Sequence, residues 1–393
     1  MTLDPDLEKF SRGEPIAVDV GGIERELATL WKEAGRAGDG DRARALSRAT
    51  LWNLVVPVRG QAHLDATKKV IDALTPTVPA RVILLFETAD GDGAGEEIRA
   101  TLESNVVARP GGTRVVCAEE ITLAGRGRGE AHFGALVRAL LVPGLPTATL
   151  WLDAALPEAL LVRELLPVSD RLVIDTGNCA RPLQLADVQR IVQHAGPTSA
   201  AGAAVAVADL GWLRLANFRM LFAGLFDPPV GGAPLARAQR LIVRHRPGAE
   251  VSALLLACWL AVLLDWRPAL PAAAITGPDG RLGYRFAPAG SGVGQVDVAL
   301  VPSEGECGTS GIVGLELETG GGERYAILRT VRNHAELTLP IAPPKVVKLD
   351  SRSTAELCAA ALGAAGRDPL LPRCLALATG MSAAVPAEAA AAR

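Results

Sequence analysis

The residues able to do chemistry are few and scattered. His63, His132, His194, His245 and His334 lie far apart, and no two could share a metal ion from one helix. Cys117, Cys179, Cys258, Cys307, Cys358 and Cys374 form no CxxC pair. Several sit in apolar runs, where a cysteine serves as a small hydrophobe, so reduced structural thiols are expected. The chain has no HExxH, no calcium-binding EF-hand loop, no Walker A loop and no GxSxG elbow. Gly308-Thr309-Ser310-Gly311 comes nearest to the last, with the wrong spacing. No local catalytic constellation results, and nothing in the residues calls for a cofactor or metal. One run could hold an anion. Gly125-Arg126-Gly127-Arg128-Gly129 follows an expected strand and precedes an expected helix. Backbone N–H groups there, with two guanidinium groups, could bind phosphate. The spacing is GxGxG rather than GxGxxG, and a plain strand–helix turn accounts for it as well.

The segment Asp209–Asp227 (DLGWLRLANFRMLFAGLFD) carries the most information. Asp209 suits a helix N-cap. On a helical wheel Phe218, Leu221, Phe222 and Leu225 form an apolar sector, and Arg214 falls inside it. A guanidinium there needs a carboxylate or carbonyls, because an unpaired buried charge is costly. Asp209, Trp212, Ala216 and Arg219 share a narrower face, and Trp with Arg is a composition favoured at protein–protein hot spots. Two readings stand side by side. Asp209, Trp212, Arg214, Arg219 and Asp227 belong to an interface, with Trp212 as an exposed anchor. Alternatively they are structural, with Arg214 in an internal ion pair and Trp212 as packing.

The elements that must position these residues follow from patterning. The chain has 393 residues, 49% hydrophobic and 21% charged, ample for a sizeable core and unlike a disordered chain. Forty Lys and Arg against 43 Asp and Glu give a net charge of −3, which supplies no drive toward nucleic acid or anionic membrane. The polar start MTLDPDLEKFSRGEP lacks the features of a signal peptide, so a cytoplasmic location is expected. The apolar run Val251–Leu264 is shorter than the roughly 20 residues that span a bilayer, and reads as a buried helix.

Helical periodicity covers Ile23–Ala34, Gln61–Leu74, His132–Leu141, Pro157–Leu166 and Gln184–His194. Between them lie strand-type runs within Ser47–Val58, Arg81–Phe86, Ile98–Ala108, Thr113–Leu123, Pro143–Leu152 and Asp170–Thr176. This alternation predicts an α/β layered domain with a largely parallel sheet. After helices at Asp209–Phe226 and Val251–Leu264, short strands separated by Gly-rich turns run from Ala273 to Pro340. Helices at Thr354–Leu362 and about Leu370–Leu377 follow, which predicts an α+β domain with a mainly antiparallel sheet. The expected divisions are a helical segment over 1–45, the α/β domain over 46–235, the α+β domain over 236–380 and a disordered tail over 381–393.

Several runs, in order, resemble the glucose-6-phosphate dehydrogenase assembly protein family, OpcA. They are Arg48–Val56 (RATLWNLVV), Leu145–Trp151 (LPTATLW), Ser169–Thr176 (SDRLVIDT), Asp209-Leu210-x-Trp212-x-Arg214-Leu215 with Phe218-Arg219 and Phe226-Asp227, and the apolar run ending in Trp266. Gly211 stands where the family pattern has a polar residue, and Phe218 where it has Trp. The resemblance implies a non-catalytic partner that binds glucose-6-phosphate dehydrogenase and promotes its assembly or active state, with no catalytic residues to carry over. The competing reading is a phosphosugar- or nucleotide-binding enzyme, or a degenerate enzyme fold with a regulatory phosphosugar site. It would use the α/β half, the Gly125–Gly129 arginines and the polar turn Asp175-Thr176-Gly177-Asn178.

Overall fold

Trp52–Arg59 and Ala80–Glu87 are runs of almost unbroken apolar residues, and both form strands buried along nearly their whole length. Such runs mark parallel strands covered on both faces. The computed structural model of the chain describes residues 9–12, 15–36, 47–48, 50–87, 98–108, 114–125, 132–153, 160–179, 181–196, 204–269, 275–276, 282–288, 294–331 and 333–382.

The first sheet holds β1 (Lys9–Arg12), β2 (Ile16–Val18), β3 (Ser47–Arg48), β4 (Trp52–Arg59), β5 (Ala80–Glu87), β6 (Arg99–Ala108), β7 (Arg114–Gly125), β8 (Thr147–Trp151), β9 (Arg171–Ile174) and β10 (Ala206–Asp209). Their order is β1-β6-β7-β5-β4-β8-β9-β10, with β2 on β6 and β3 on β7. The pairs β7–β5, β5–β4, β4–β8 and β8–β9 are parallel, while β6 joins β7 antiparallel. Counted from β4, the strands β7-β5-β4-β8-β9-β10 follow the order 3-2-1-4-5-6 of a doubly wound fold, once the antiparallel β6 is set aside.

The helices are α1 (Ile23–Arg36), α2 (Gln61–Leu74), α3 (Phe133–Leu140), α4 (Leu185–His194), α5 (Leu210–Arg214), α6 (Ala216–Gly224), α7 (Ala233–Ala236), α8 (Glu250–Leu263), α9 (Thr354–Gly363) and α10 (Leu370–Ser382). Leu64, Ile71 and Leu74 of α2 are buried together with Leu54, Val56, Ile83, Leu84, Ile121 and Leu150 of the strands.

The second sheet is mainly antiparallel. It holds β11 (Ala238–His245), β12 (Trp266–Pro268), β13 (Ile275–Thr276), β14 (Leu282–Pro288), β15 (Val296–Pro302), β16 (Ile312–Thr319), β17 (Arg324–Val331), β18 (His334–Leu339) and β19 (Ala342–Lys348). The order is β12-β14-β15-β11-β16-β17-β18-β19, with β13 on β14, and β11–β15 is parallel. Along β14 buried Leu282, Tyr284 and Phe286 alternate with more exposed residues, the period-two pattern of a sheet with one wet face. On the outer side Glu316, 2% exposed, lies between Arg244 and Arg324, and these two guanidinium groups outweigh its burial and lower its pKa. Helix α8 is apolar all round and buried from Val251 to Ala261, against β11, β12, β15 and α10. Among the described residues no helix is long and apolar enough to cross a membrane.

The chain forms two compact units that interleave in sequence. One comprises Met1–Ile174, His194–Ala208 and Thr354–Gly366; the other comprises Asp175–Gln193, Asp209–Ser353 and Arg367–Arg393. The boundary expected near residue 235 therefore falls inside the second unit. Helix α9 shows why sequence order misleads: it returns to pack on α2 and β9 of the first unit, and Ala364 O accepts a 2.7 Å hydrogen bond from Arg171. Other expectations change locally. The N-terminal segment is not helical throughout, since β1 and β2 precede α1 and pair with β6. The helix expected over Asp209–Phe226 is two helices broken at Leu215, preceded by β10. β11 lies where no element was expected, because Ala238–His245 alternates too weakly to signal a strand. Leu161–Leu165 forms a wide helical turn, the rest of its expected helix at 157–159 lying outside the described residues. Of the expected tail, Met381 and Ser382 are buried in α10, and 383–393 lie outside the described residues.

Candidate functional site

The segment singled out by sequence folds around one carboxylate. Asp209 is fully buried and N-caps α5, accepting from Gly211 N at 3.0 Å and Trp212 N at 3.2 Å. The same carboxylate accepts from Thr176 N at 2.9 Å and Thr176 Oγ1 at 2.6 Å. It therefore ties the turn Thr176–Asn178 to the start of α5. Burial pushes the Asp209 pKa up to about 6, against the pull of its donors, with nearby Asp175 adding to the rise.

Asp175 caps that turn through Gly177 N at 3.0 Å and receives Arg214 in a two-pronged ion pair, Nη2 to Oδ2 at 2.8 Å and Nη1 to Oδ1. Arg214 thus has the internal partner that its place in an apolar sector demands, with side chains 11% and 2% exposed. A Cβ at Gly177 would lie 2.7 Å from Arg214 Nη1, so a side chain there would make the ion pair shift.

Trp212 is 1% exposed, so it packs inside and is not an exposed anchor. Its Nε1 donates to Asp368 Oδ2 at 2.6 Å, and Asp368 Oδ1 accepts from Leu370 N at 2.8 Å at the head of α10. The Arg219 guanidinium stacks on the Trp212 ring, 3.6 Å from its centroid, and donates to Trp212 O at 3.3 Å. Burial lowers the Arg219 pKa to about 10, with Asp368 opposing, so it stays charged at neutral pH. Asp227 is exposed, in a turn after α6 where its N–H donates to Gly224 O at 3.4 Å. Asp209, Trp212, Arg214 and Arg219 therefore come together, with Asp175 and Thr176 of the polar turn, and Asp227 stands apart. Sequence reading missed Asp368. Its signal is weak, an Asp two residues ahead of an apolar helical run.

This arrangement binds parts of the chain to one another. Burial pushes the thiols of Cys179 and Cys374 up to about 12, which removes them as nucleophiles at neutral pH. Among the described residues no group of three His, Cys, Asp or Glu is placed to hold a metal. Gly125 ends β7, and Arg126–Gly129 of the proposed phosphate loop lie outside the described residues.

Residues 71–190 match a family model described as the glucose-6-phosphate dehydrogenase subunit N-terminal domain, and residues 205–375 match the corresponding C-terminal domain. The chain belongs to the OpcA family. A Nostoc punctiforme protein titled "Putative OxPP cycle protein OpcA" is 28% identical over 206 residues, 52% of this chain and 42% of that protein. A Synechocystis protein of the same title is 25% identical over 333 residues, 78% of this chain and 64% of that protein. The chain thus spans about two fifths to two thirds of the length of these OpcA relatives. Solved structures with a similar arrangement include a Clostridium difficile dehydrogenase, MviM, at TM-score 0.44 and 6% identity, covering 84% of this chain and 97% of that one. A Synechocystis biliverdin reductase is similar at TM-score 0.43 and 9% identity, over 85% and 99%. Likeness at this level carries nothing about activity.

The glycine that departs from the OpcA pattern has a physical reason. A Cβ at Gly211 would lie 2.3 Å from Thr176 Oγ1 and 2.8 Å from Gly177 N, inside the Asp209 clasp. Gly211→Asn is expected to cost about 1–3 kcal/mol through overpacking. Urea unfolding checks this, and a change below about 0.5 kcal/mol would mean the turn has room to spare. Phe218, the other departure, is 1% exposed and lies with its ring 5.6 Å from the Arg329 guanidinium carbon.

Proposed function

We propose that this chain is a non-catalytic, cytoplasmic effector that binds glucose-6-phosphate dehydrogenase and promotes its assembly or active oligomeric state. It would thereby support the oxidative pentose phosphate pathway and NADPH production. The observation that carries this reading is the match of both halves of the chain to family models described as glucose-6-phosphate dehydrogenase subunit domains. The local chemistry supports it, because Asp209 and Arg214 of the signature segment are spent on internal bonds. The mechanism is linkage: a partner that binds the active oligomer more tightly than the inactive form shifts the equilibrium by that difference in affinity. Asp209, Trp212 and Arg214 frame the segment, and half-buried Arg219 and exposed Asp227 remain as its candidate contact groups.

The test is the kinetics of the same organism's glucose-6-phosphate dehydrogenase, with and without this chain, across glucose-6-phosphate concentrations. The expected result is a saturable fall in apparent KM or rise in rate, with no turnover by this chain alone. Asp227→Lys should weaken the effect several-fold while leaving the melting temperature unchanged. No change in rate, KM or oligomer size would overturn the proposal. Turnover by the chain alone would favour the enzyme reading instead.

A further inference from the structure

The strand order 3-2-1-4-5-6 places a crevice at the C-terminal ends of β4 and β8, where a doubly wound sheet reverses direction and a dinucleotide would bind. The residues at this crevice do not fit one. A dinucleotide fold needs a glycine-rich turn after its first strand: one glycine for the turn, a second so that the backbone can approach the pyrophosphate, and a third for close helix packing. The turn after β4 reads Gly60-Gln61-Ala62-His63-Leu64-Asp65. Gly60 has φ +73° and makes the turn, but Ala62 and Asp65 occupy the other two glycine positions.

A carboxylate also stands beside the helix end. The N-terminus of α2 would face the pyrophosphate and attract negative charge. The chain supplies that charge itself: Asp153, 9% exposed after β8, lies 3.5 Å from His63 Nδ1 on the first turn of α2. Glu87 at the end of β5 stands where a ribose-binding acid is expected, yet it is held by Arg59 at 2.5 Å. Asp65, on the first turns of α2, accepts from Gln61 at 2.9 Å. Phe133 and Trp151, each 1% exposed, lie beside Asp153, Arg59 and Glu87 at this end of the sheet.

We propose that this crevice does not take a nicotinamide dinucleotide, because Ala62 and Asp65 stand where its glycines are needed and Asp153 lies beside the N-terminus of α2. Any effect on an NADP-linked enzyme would then act without this chain capturing that enzyme's cofactor. The test is titration of the full chain with NADPH and NADP+ to 1 mM, read by NADPH fluorescence, melting temperature and hydrogen exchange of amides 58–64. A site of 10 µM affinity would be about 99% filled at that concentration. The expected result is no saturable signal, or binding that leaves amides 58–64 unmoved. Saturable binding that protects those amides would overturn the proposal. The titration contains no glucose-6-phosphate dehydrogenase, so its outcome is independent of the effector test.

Discussion

Asp209→Ala is expected to lower stability by about 3–5 kcal/mol, measured by urea unfolding of the full chain. The substitution strips the acceptor from Thr176 N, Gly211 N and Trp212 N together, and from the Thr176 hydroxyl. Each buried donor left without a partner costs about 1–3 kcal/mol, partly recovered where water enters. Asp209→Asn keeps one acceptor oxygen and should cost less. A loss below about 1 kcal/mol for the alanine variant would mean that the clasp does not hold the turn to α5.

The same residue should leave a pH signature of definite sign. Its native pKa of about 6 lies above the ordinary 3.8, so the folded protein binds the proton more tightly than the unfolded chain. This contribution is fully present below about pH 4, declines as pH rises to about 6, and is level above that. The advantage of the natural protein over Asp209→Asn should therefore be larger near pH 4.5 than near pH 7, an interval in which asparagine does not titrate.

Arg81→Met should cost a comparable amount, about 3–5 kcal/mol, in the first unit. Arg81 is 4% exposed on β5, with Nε donating to Glu119 at 2.8 Å and Nη1 to Glu24 at 2.6 Å and to Leu140 O at 2.9 Å. Burial works against its charge, but Glu119 and Glu24 outweigh burial and hold its pKa above the ordinary value. Removing the cation leaves Glu119, 2% exposed, without that counter-charge. Arg81→Met with Glu119→Gln should recover part of the loss, since a buried amide is cheaper than a buried carboxylate. Paired unfolding curves for the two variants decide it: equal losses would show that Glu119 is not the source of the cost.

Much of the fold could be read from patterning. β4 and β5 declare themselves by nearly unbroken apolar runs, and α2 and α4 by spacing that matches their buried residues, Leu64 and Ile71 in one, Leu185, Val188 and Ile191 in the other. Short elements were harder. β10 has four residues and α5 five, too few to show a period, so β10 went unread and α5 merged with α6 into one expected helix. β1 and β2 are stabilised by pairing with β6, about 80–100 residues further on, which no local window contains.

For the signature segment, the sequence by itself determined the chemistry available: an aspartate able to cap a helix, an arginine needing a counter-charge, and a tryptophan beside a second arginine. It also determined the family, through runs spread over much of the chain. Tertiary structure alone decided what those groups do. Asp175 reaches Arg214 from 39 positions away and Asp368 reaches Trp212 from 156, so Trp212 is an internal post. Strand order likewise decided which turn faces the crevice, drawing attention from Gly125–Gly129 after the third parallel strand to Gly60–Asp65 after the first. The reason in both cases is that burial and pairing are set by neighbours distant in sequence, whereas local spacing reports only the shape of each element.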